Sequence, residues 1–534
     1  MLIDFLRPKA SLKWWPDVQL NIWTKISLWI FGSPLLLYLL LCSITQIANW
    51  RFMLKCRRLG HVPPMGPSPF NPQNLVRFRR AMRAMKEQKR MEMLAERLQD
   101  FGNPKNPNTV LGPLLFRWTI VTTDPENIKA ILTTQFNDYG KGEKFNHEFS
   151  AFLGNSIFTT DGALWQNSRN LLRPQFIKDR VSDLETFETH VQVMLKILKE
   201  RKGKQIDISE LFFAYTLDAA TDFLLGKSSD SLEKTAIGGQ DEFANAFKDV
   251  QHKQLLKMML GPLQAIFPVK GYYEALAKVD EFIKPFIDLA TQLPQEELDS
   301  KASSRYTFLH ALARQTKDAK FLRDQIMATL LAGRDTTACT LSWLFYELST
   351  HPAVVTKLRT EIGNHVGFDR EPTYADLKNM KYLQACLNEI LRIYPAVPVN
   401  VRVALKDTTL PHGGGTSGNE PIGIPKGTEI AYSPLVMQRR SDLYPPGQPA
   451  PSDQFCPERW DKWFPKSWNY IPFNGGPRIC LGQNFALTEM GYTTVRILQQ
   501  FSRIESRQPG GEAPRMVTDI VITPHNGVQV AFFE

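Results

Sequence analysis

A ten-residue stretch near the end of the chain, Phe473-Asn-Gly-Gly-Pro-Arg-Ile-Cys-Leu-Gly482, constrains the rest more tightly than any other feature of the 534 residues. Its glycines and proline cannot sustain a regular element, so the segment must turn sharply; Gly475 and Gly476 permit backbone angles closed to other residues. Cys480 comes just before Leu481-Gly-Gln-Asn-Phe-Ala-Leu-Thr-Glu-Met490, a good helix whose N-terminal N–H groups and partial positive charge favour a thiolate. Arg478 offers a fixed guanidinium fork to a carboxylate. Phe473 offers an apolar ring to cover the sulfur, and Gly482 lets the following helix approach a flat group closely. A lone cysteine in such a turn would be an inert small hydrophobe. Several residue types falling together as F-x-x-G-x-R-x-C-x-G read instead as a thiolate ligand loop.

This pattern resembles the haem loop of the cytochrome P450 family. The resemblance implies that Cys480 is the axial ligand of a haem b iron, a thiolate that pushes electron density toward the metal and favours O–O cleavage. Phe473, Gly476, Arg478 and Gly482 would frame the cofactor, with Arg478 on a propionate. The implied fold is mainly α with small β-sheets, behind one N-terminal transmembrane helix.

Further signatures follow in family order over about residues 70 to 534. Phe158-Thr-Thr-Asp-Gly-Ala-Leu-Trp-Gln-Asn-Ser-Arg169 puts Trp165 and Arg169 four apart on one helix face. It is similar to the W-x-x-x-R signature whose two residues reach a haem propionate. Phe321 to Leu348 is a long apolar helical stretch interrupted by Ala332-Gly-Arg-Asp-Thr-Thr337. Polar residues inside such a helix need partners. Gly333 weakens the helix locally and the Thr336 hydroxyl can turn onto a backbone carbonyl, opening a groove wide enough for dioxygen. The run matches the family's A-G-x-D/E-T-T/S pattern, which implies that Asp335 and Thr336 form the proton relay. Arg334 is expected in a structural ion pair, and Ala332 at the substrate.

Glu389-Ile-Leu-Arg392 resembles the family's E-x-x-R, and Pro457-Glu-Arg-Trp460 the segment that supplies its third partner, Arg459. The three are expected to form a buried ion network that supports the fold. Arg402, at the family's spacing after E-x-x-R, is implied as another propionate partner; Val397 and Val399 would then face the substrate, with Val521 in the pocket wall. Leu410 to Pro421 carries three consecutive glycines, but lacks the G-K-[ST] of a phosphate cradle and reads as a hairpin insertion.

At the other end, Ile26 to Asn49 carries no charge and is bracketed by Lys25 and Arg51. As a helix it would extend about 36 Å, enough for a hydrocarbon core of ~30 Å. Trp14, Trp15, Trp23 and Trp50 lie near its ends, where interfacial rings belong, and Pro34 is tolerable within it. Arg51, Lys55, Arg57 and Arg58 place the following chain in the cytosol, against a weaker set, Lys9, Lys13 and Lys25. The run starts too late and is too long for a cleaved leader. His61 to Pro72 holds five prolines in twelve residues and reads as a stiff spacer. The expected organisation is a segment 1–25, an anchor 26–49, a basic and Pro-rich linker 50–72, and a catalytic domain 73–534.

Six scattered cysteines without a C-x-x-C pair argue against a zinc site or a disulfide framework. The net charge of +10 comes without a nucleic-acid motif, so an anionic membrane or an acidic protein fits it better than nucleic acid. The A-G-R-D-T-T run, Leu172-Arg-Pro-Gln-Phe176 and the Gly-rich hairpin are similar to fungal P450s that hydroxylate terminal carbons of n-alkanes and fatty acids. That resemblance implies a small hydrophobic substrate, O2, electrons from NADPH through NADPH–cytochrome P450 reductase, and a single-pass endoplasmic-reticulum protein with a cytosolic catalytic domain. Three alternatives stand beside it: a biosynthetic P450 oxidising a polyketide or terpenoid, a haem-thiolate isomerase or dehydratase, and a non-catalytic haem sensor.

Overall fold

The computed structural model describes residues 33–114, 117–176, 184–239, 241–261, 264, 266–304 and 307–534. The expected segment 1–25 and the start of the anchor, with Trp14, Trp15, Trp23, Lys9, Lys13 and Lys25, lie outside the described residues. The chain forms two units, one of Met1–Leu54 with Pro67–Phe78 and one of Lys55–Gly66 with Arg79–Glu534.

A helix over Ser33–Leu59 opens the described chain. Its 24 residues Leu36–Leu59, with an 18-residue window of mean hydropathy 1.2, are long and apolar enough to cross a membrane. The Ser43 and Thr45 hydroxyls donate to the carbonyls of Leu39 and Leu41, both at 2.8 Å, which satisfies them without water. The helix continues past Asn49 because Arg51, Lys55, Arg57 and Arg58 are compatible with helix and suit its C-terminal end. Within the larger unit, Gly60–Gly66 is extended: the Leu111 N–H donates to the Pro64 carbonyl at 2.7 Å and His61 meets Glu420 at 2.6 Å.

Two helices follow, Gln73–Lys86 and Arg90–Phe101. Gln88, in the left-handed region at φ 60°, lies between them. A five-stranded sheet runs in the order Thr109–Leu114, Arg117–Thr122, Glu429–Tyr432, Asn400–Ala404, Tyr139–Gly140. Asp124 caps the short helix that follows its second strand, accepting from the N–H groups of Glu126 and Asn127. Thr408–Gly414 and Glu420–Ile424 pair antiparallel as the expected hairpin. Met516–Thr518, Ile522–Pro524 and Gln529–Phe533 are the C-terminal strands.

The central helix of the larger unit is Ala319–Thr350, 32 residues long. Asp318 caps it, accepting from the N–H groups of Lys320 and Phe321 at 2.9 and 3.1 Å. It stops at His351, where Pro352 follows. Its two ends serve different cores. Leu322, Ile326, Met327, Leu330 and Leu331 belong to an N-terminal helical cluster. Ala338, Leu341, Trp343, Leu344 and Leu348 belong to a second cluster with the helices Lys381–Ile393 and Gln483–Gln500. The polar run Ala332–Thr337 falls at the seam between them.

Candidate functional site

The cysteine loop lies at the same seam. Phe473 and Phe485 pack on the second cluster, Leu481 and Phe176 on the first. Gly476 and Asn474 take left-handed angles, φ 63° and 64°. A Cβ on Gly476 would also lie 2.0 Å from the Leu132 carbonyl oxygen, so glycine is required there twice over. Gly475 differs from expectation: its φ of −160° is ordinary extended backbone, and glycine is needed because a Cβ would come within 2.6 Å of the Trp468 ring. The Cys480 N–H donates to the Phe473 carbonyl at 3.0 Å, closing the loop.

Cys480 is exposed in the described structure, although protein atoms closely surround its thiol. Burial raises its pKa, while the Gly482 N–H and Arg169 favour the thiolate. The helix end therefore does not by itself ionise the sulfur; coordination to a metal would do so outright. A Cβ at Gly482 would lie 3.8 Å from Phe176 and 4.0 Å from the sulfur, in ordinary contact.

Beside the thiol is a cluster of cations. Arg169 donates to the Ile479 carbonyl at 3.1 Å, and Trp165, 8% exposed, lies under the Arg478 guanidinium at 4.6 Å. Arg478 pairs with Asp161 at 2.6 Å, and its buried Nε has no partner among the described residues. Burial first, then repulsion from Arg402, lowers the Arg478 pKa to about 10. Arg402 is buried and donates to the Asn400 Oδ1 at 2.9 Å. The structure adds three residues that the sequence reading misses, Lys141, Asp161 and Asn400. Asp161 accepts from the backbone N–H groups of Lys141 and Gly142 at 2.8 and 2.7 Å, and Lys141 Nζ reaches Asn400 Oδ1 at 3.1 Å. Among the described residues, one of these four cations, Arg478, is in an ion pair with a carboxylate, that of Asp161. An exposed cysteine with surplus cations near it fits a flat iron porphyrin bearing two carboxylates.

The central helix presents a second set of groups. Thr329, Ala332, Gly333 and Thr336 are partly uncovered, at helical spacing, on a helix whose neighbouring residues are mostly buried. The Thr336 hydroxyl donates to the Ala332 carbonyl at 2.6 Å. Asp335 is turned from that stripe and pairs with Arg334 at 2.8 Å. Burial raises the Asp335 pKa, with Arg334 and Gln251 acting against it, and its Oδ2 has no hydrogen-bond partner among the described residues. Arg334 also lies over the Phe213 and Phe247 rings at 5.2 and 5.5 Å. Val397 and Val399 are half-buried; Val521, between two strands, is 6% exposed within the second core.

Glu389, Arg392 and Arg459 come together in full burial. Arg392 Nε and Nη2 donate to the two Glu389 oxygens, both at 2.8 Å, and Arg459 Nε donates at 3.3 Å. The Trp460 indole and the Cys456 N–H complete the carboxylate's shell at 2.9 and 3.0 Å.

The family model described as Cytochrome P450 matches residues 108–532. The chain is 49% identical over 437 residues to cytochrome P450 monooxygenase pvhE of Talaromyces variabilis, covering 78% of this chain and 80% of that one. It is 43% identical over 430 residues to cytochrome P450 52A1 of Candida tropicalis, covering 78% of each. The solved structure of the cytochrome P450DA heme domain shares the fold, with a TM-score of 0.71 at 19% identity over 89% of this chain and 99% of that one.

Proposed function

The chain belongs to the cytochrome P450 family and is a haem-thiolate monooxygenase, and we propose that it hydroxylates the terminal carbon of a long apolar substrate, an n-alkane or a fatty acid. The electrons would come from NADPH through NADPH–cytochrome P450 reductase. The protein would sit in the endoplasmic-reticulum membrane by the Leu36–Leu59 helix, its catalytic domain on the cytosolic side with Arg51, Lys55, Arg57 and Arg58.

One observation carries the reading: the thiol and the partly uncovered stripe of Thr329, Ala332, Gly333 and Thr336 fall at one seam between two apolar cores. A haem bound to Cys480 supplies the oxygen activation and the redox chemistry. The chain's own residues do the rest. The two cores supply apolar walls and exclude water from the reaction. Ala332 and the half-buried Val397 and Val399 offer hydrocarbon to the substrate without a polar group to orient it. Burial raises the pKa of the Asp335 carboxylate, which favours its taking up a proton, and Arg334 fixes its orientation. The Thr336 hydroxyl is the next group along the helix that can pass a proton on.

Incubating microsomes that carry the chain and a reductase with alkanes, fatty acids and terpenoids, read by mass spectrometry, tests the proposal. Terminally hydroxylated alkane or fatty acid is expected. Oxidation confined to terpenoid or polyketide substrates would overturn the substrate class, and NADPH consumption without any organic product would favour a sensor.

A further inference from the structure

We propose that Arg90, with the Thr518 hydroxyl beside it, binds the carboxylate of a fatty-acid substrate, so that the opposite end of the hydrocarbon chain is the one presented for oxidation. The inference rests on the terminal-hydroxylation reading and narrows its substrate class to the acid.

Arg90 is the first residue of the helix Arg90–Phe101. Its Nη1 donates to the Thr518 carbonyl at 2.7 Å. That bond fixes the guanidinium and leaves its Nε–Nη2 edge, a two-donor edge that can grip both oxygens of a carboxylate. Among the described residues Arg90 pairs with no carboxylate: Glu87, three positions earlier, is held by Lys89 at 3.0 Å and Arg83 at 3.4 Å, and Asp519, beside Thr518, is exposed to solvent. Two polar atoms here, Arg90 Nε and Thr518 Oγ1, are buried without a hydrogen-bond partner among the described residues. Buried polar atoms left unpaired are unfavourable. A guanidinium N–H and a hydroxyl side by side are both answered by a carboxylate; an alkane answers neither.

The hairpin that carries Thr518 connects this cation to the substrate side of the molecule. Thr518 pairs with Ile522 across the strands Met516–Thr518 and Ile522–Pro524. The Ile522 N–H donates to the Ala396 carbonyl at 3.0 Å, and the Ile522 carbonyl accepts from the Trp343 indole of the central helix at 3.1 Å. Arg90 thus holds one strand of the hairpin and Ala396, next to Val397, holds the other; two strand spacings, about 10 Å, separate the Thr518 and Ala396 backbones. The turn between the strands spans the seam, since Ile520 packs on the first cluster and Val521 belongs to the second. A carboxylate held by Arg90 therefore leaves its hydrocarbon chain beside a hairpin that leads to the seam of the thiol and Thr336. Ala332, Val397 and Val399 offer no polar group that could orient the substrate, so the charged end fixes which carbons face the reaction.

The test titrates the full-length holoprotein in detergent with dodecanoic acid, methyl dodecanoate and dodecane, following the haem Soret band. Wild type is expected to bind the acid about tenfold or more tighter than the ester. Arg90→Met should weaken the acid about tenfold to a hundredfold, the range of a hydrogen bond to a charged group, and leave the ester and the alkane within about twofold. Thr518→Val should weaken the acid to a smaller extent with the same selectivity. If Arg90→Met does not accumulate as holoprotein, Arg90→Gln takes its place with the same readouts. Equal weakening of all three ligands would reduce Arg90 to a tie for the hairpin and overturn the proposal. Equal wild-type affinity for acid and ester, which needs no variant, would overturn it as well. Both results leave the terminal-hydroxylation reading standing, whereas a wild-type protein that takes up none of the three ligands would overturn that reading and the proposal with it.

Discussion

Arg334 and Asp335, neighbours in sequence, turn toward each other on the central helix and form an ion pair at 2.8 Å with side chains only 6% and 2% exposed. The pair is enclosed by Phe213 and Phe247. Arg334→Met leaves the Asp335 carboxylate buried without its cation. The expected cost is ~3–5 kcal/mol in denaturant unfolding, with a large part recovered in the double variant Arg334→Met/Asp335→Asn. Equal and additive losses would show that the two residues act independently.

Among the described residues, the Thr336 hydroxyl bonds only the Ala332 carbonyl of its own helix. Thr336→Ala therefore leaves the fold and the haem in place while removing a proton-passing hydroxyl. Product formed per NADPH is expected to fall roughly tenfold or more, the low side of what a placed proton donor contributes, with hydrogen peroxide rising to match. Unchanged coupling would remove Thr336 from the relay.

The Glu389 carboxylate accepts from Arg392, Arg459, Trp460 and the Cys456 N–H at full burial. Glu389→Ala strands two buried guanidinium groups, at a cost of ~3–5 kcal/mol. Holoprotein yield should collapse while the unfolded chain is still synthesised. Normal yield and an unchanged melting temperature would contradict a supporting role for the triad.

Glu489, 2% exposed on the helix that follows the cysteine loop, gives a pH signature. Burial pushes its pKa from 4.5 up to about 8, with the Thr337 hydroxyl acting against it. Between those values the folded chain holds a proton that the unfolded chain has released. Its contribution to stability is fully present below pH 4.5 and declines by about 1.4 kcal/mol per pH unit until pH 8 is reached. Glu489→Gln removes that slope. Unfolding midpoints of the two proteins, compared across this window, should converge as pH falls; parallel curves would contradict a protonated Glu489.

Much of this architecture is legible in the sequence because it rests on local spacing. Trp165 and Arg169 share a face by helical geometry, the Gly-rich segment from Leu410 turns where a hairpin must, and Asp124 stands where a helix needs a cap. What is not legible depends on contacts between distant segments. Gly475 owes its identity to the Trp468 ring, and Asp161, Lys141 and Asn400 meet only because the edge strand, the helix Gly162–Leu172 and the Asn400–Ala404 strand converge. None of the three carries a periodic or motif signal. The continuation of the N-terminal helix to Leu59 is hidden for another reason: basic residues end a hydrophobic run but not a helix.

The ferrous–CO spectrum of the purified protein tests the central claim most directly, since the electron-rich thiolate of Cys480 must shift the Soret band to the red. The account predicts that shift in the wild type and its loss in Cys480→Ala. A wild-type band at the position of a histidine-ligated haem, or a red-shifted band that survives Cys480→Ala, would contradict it.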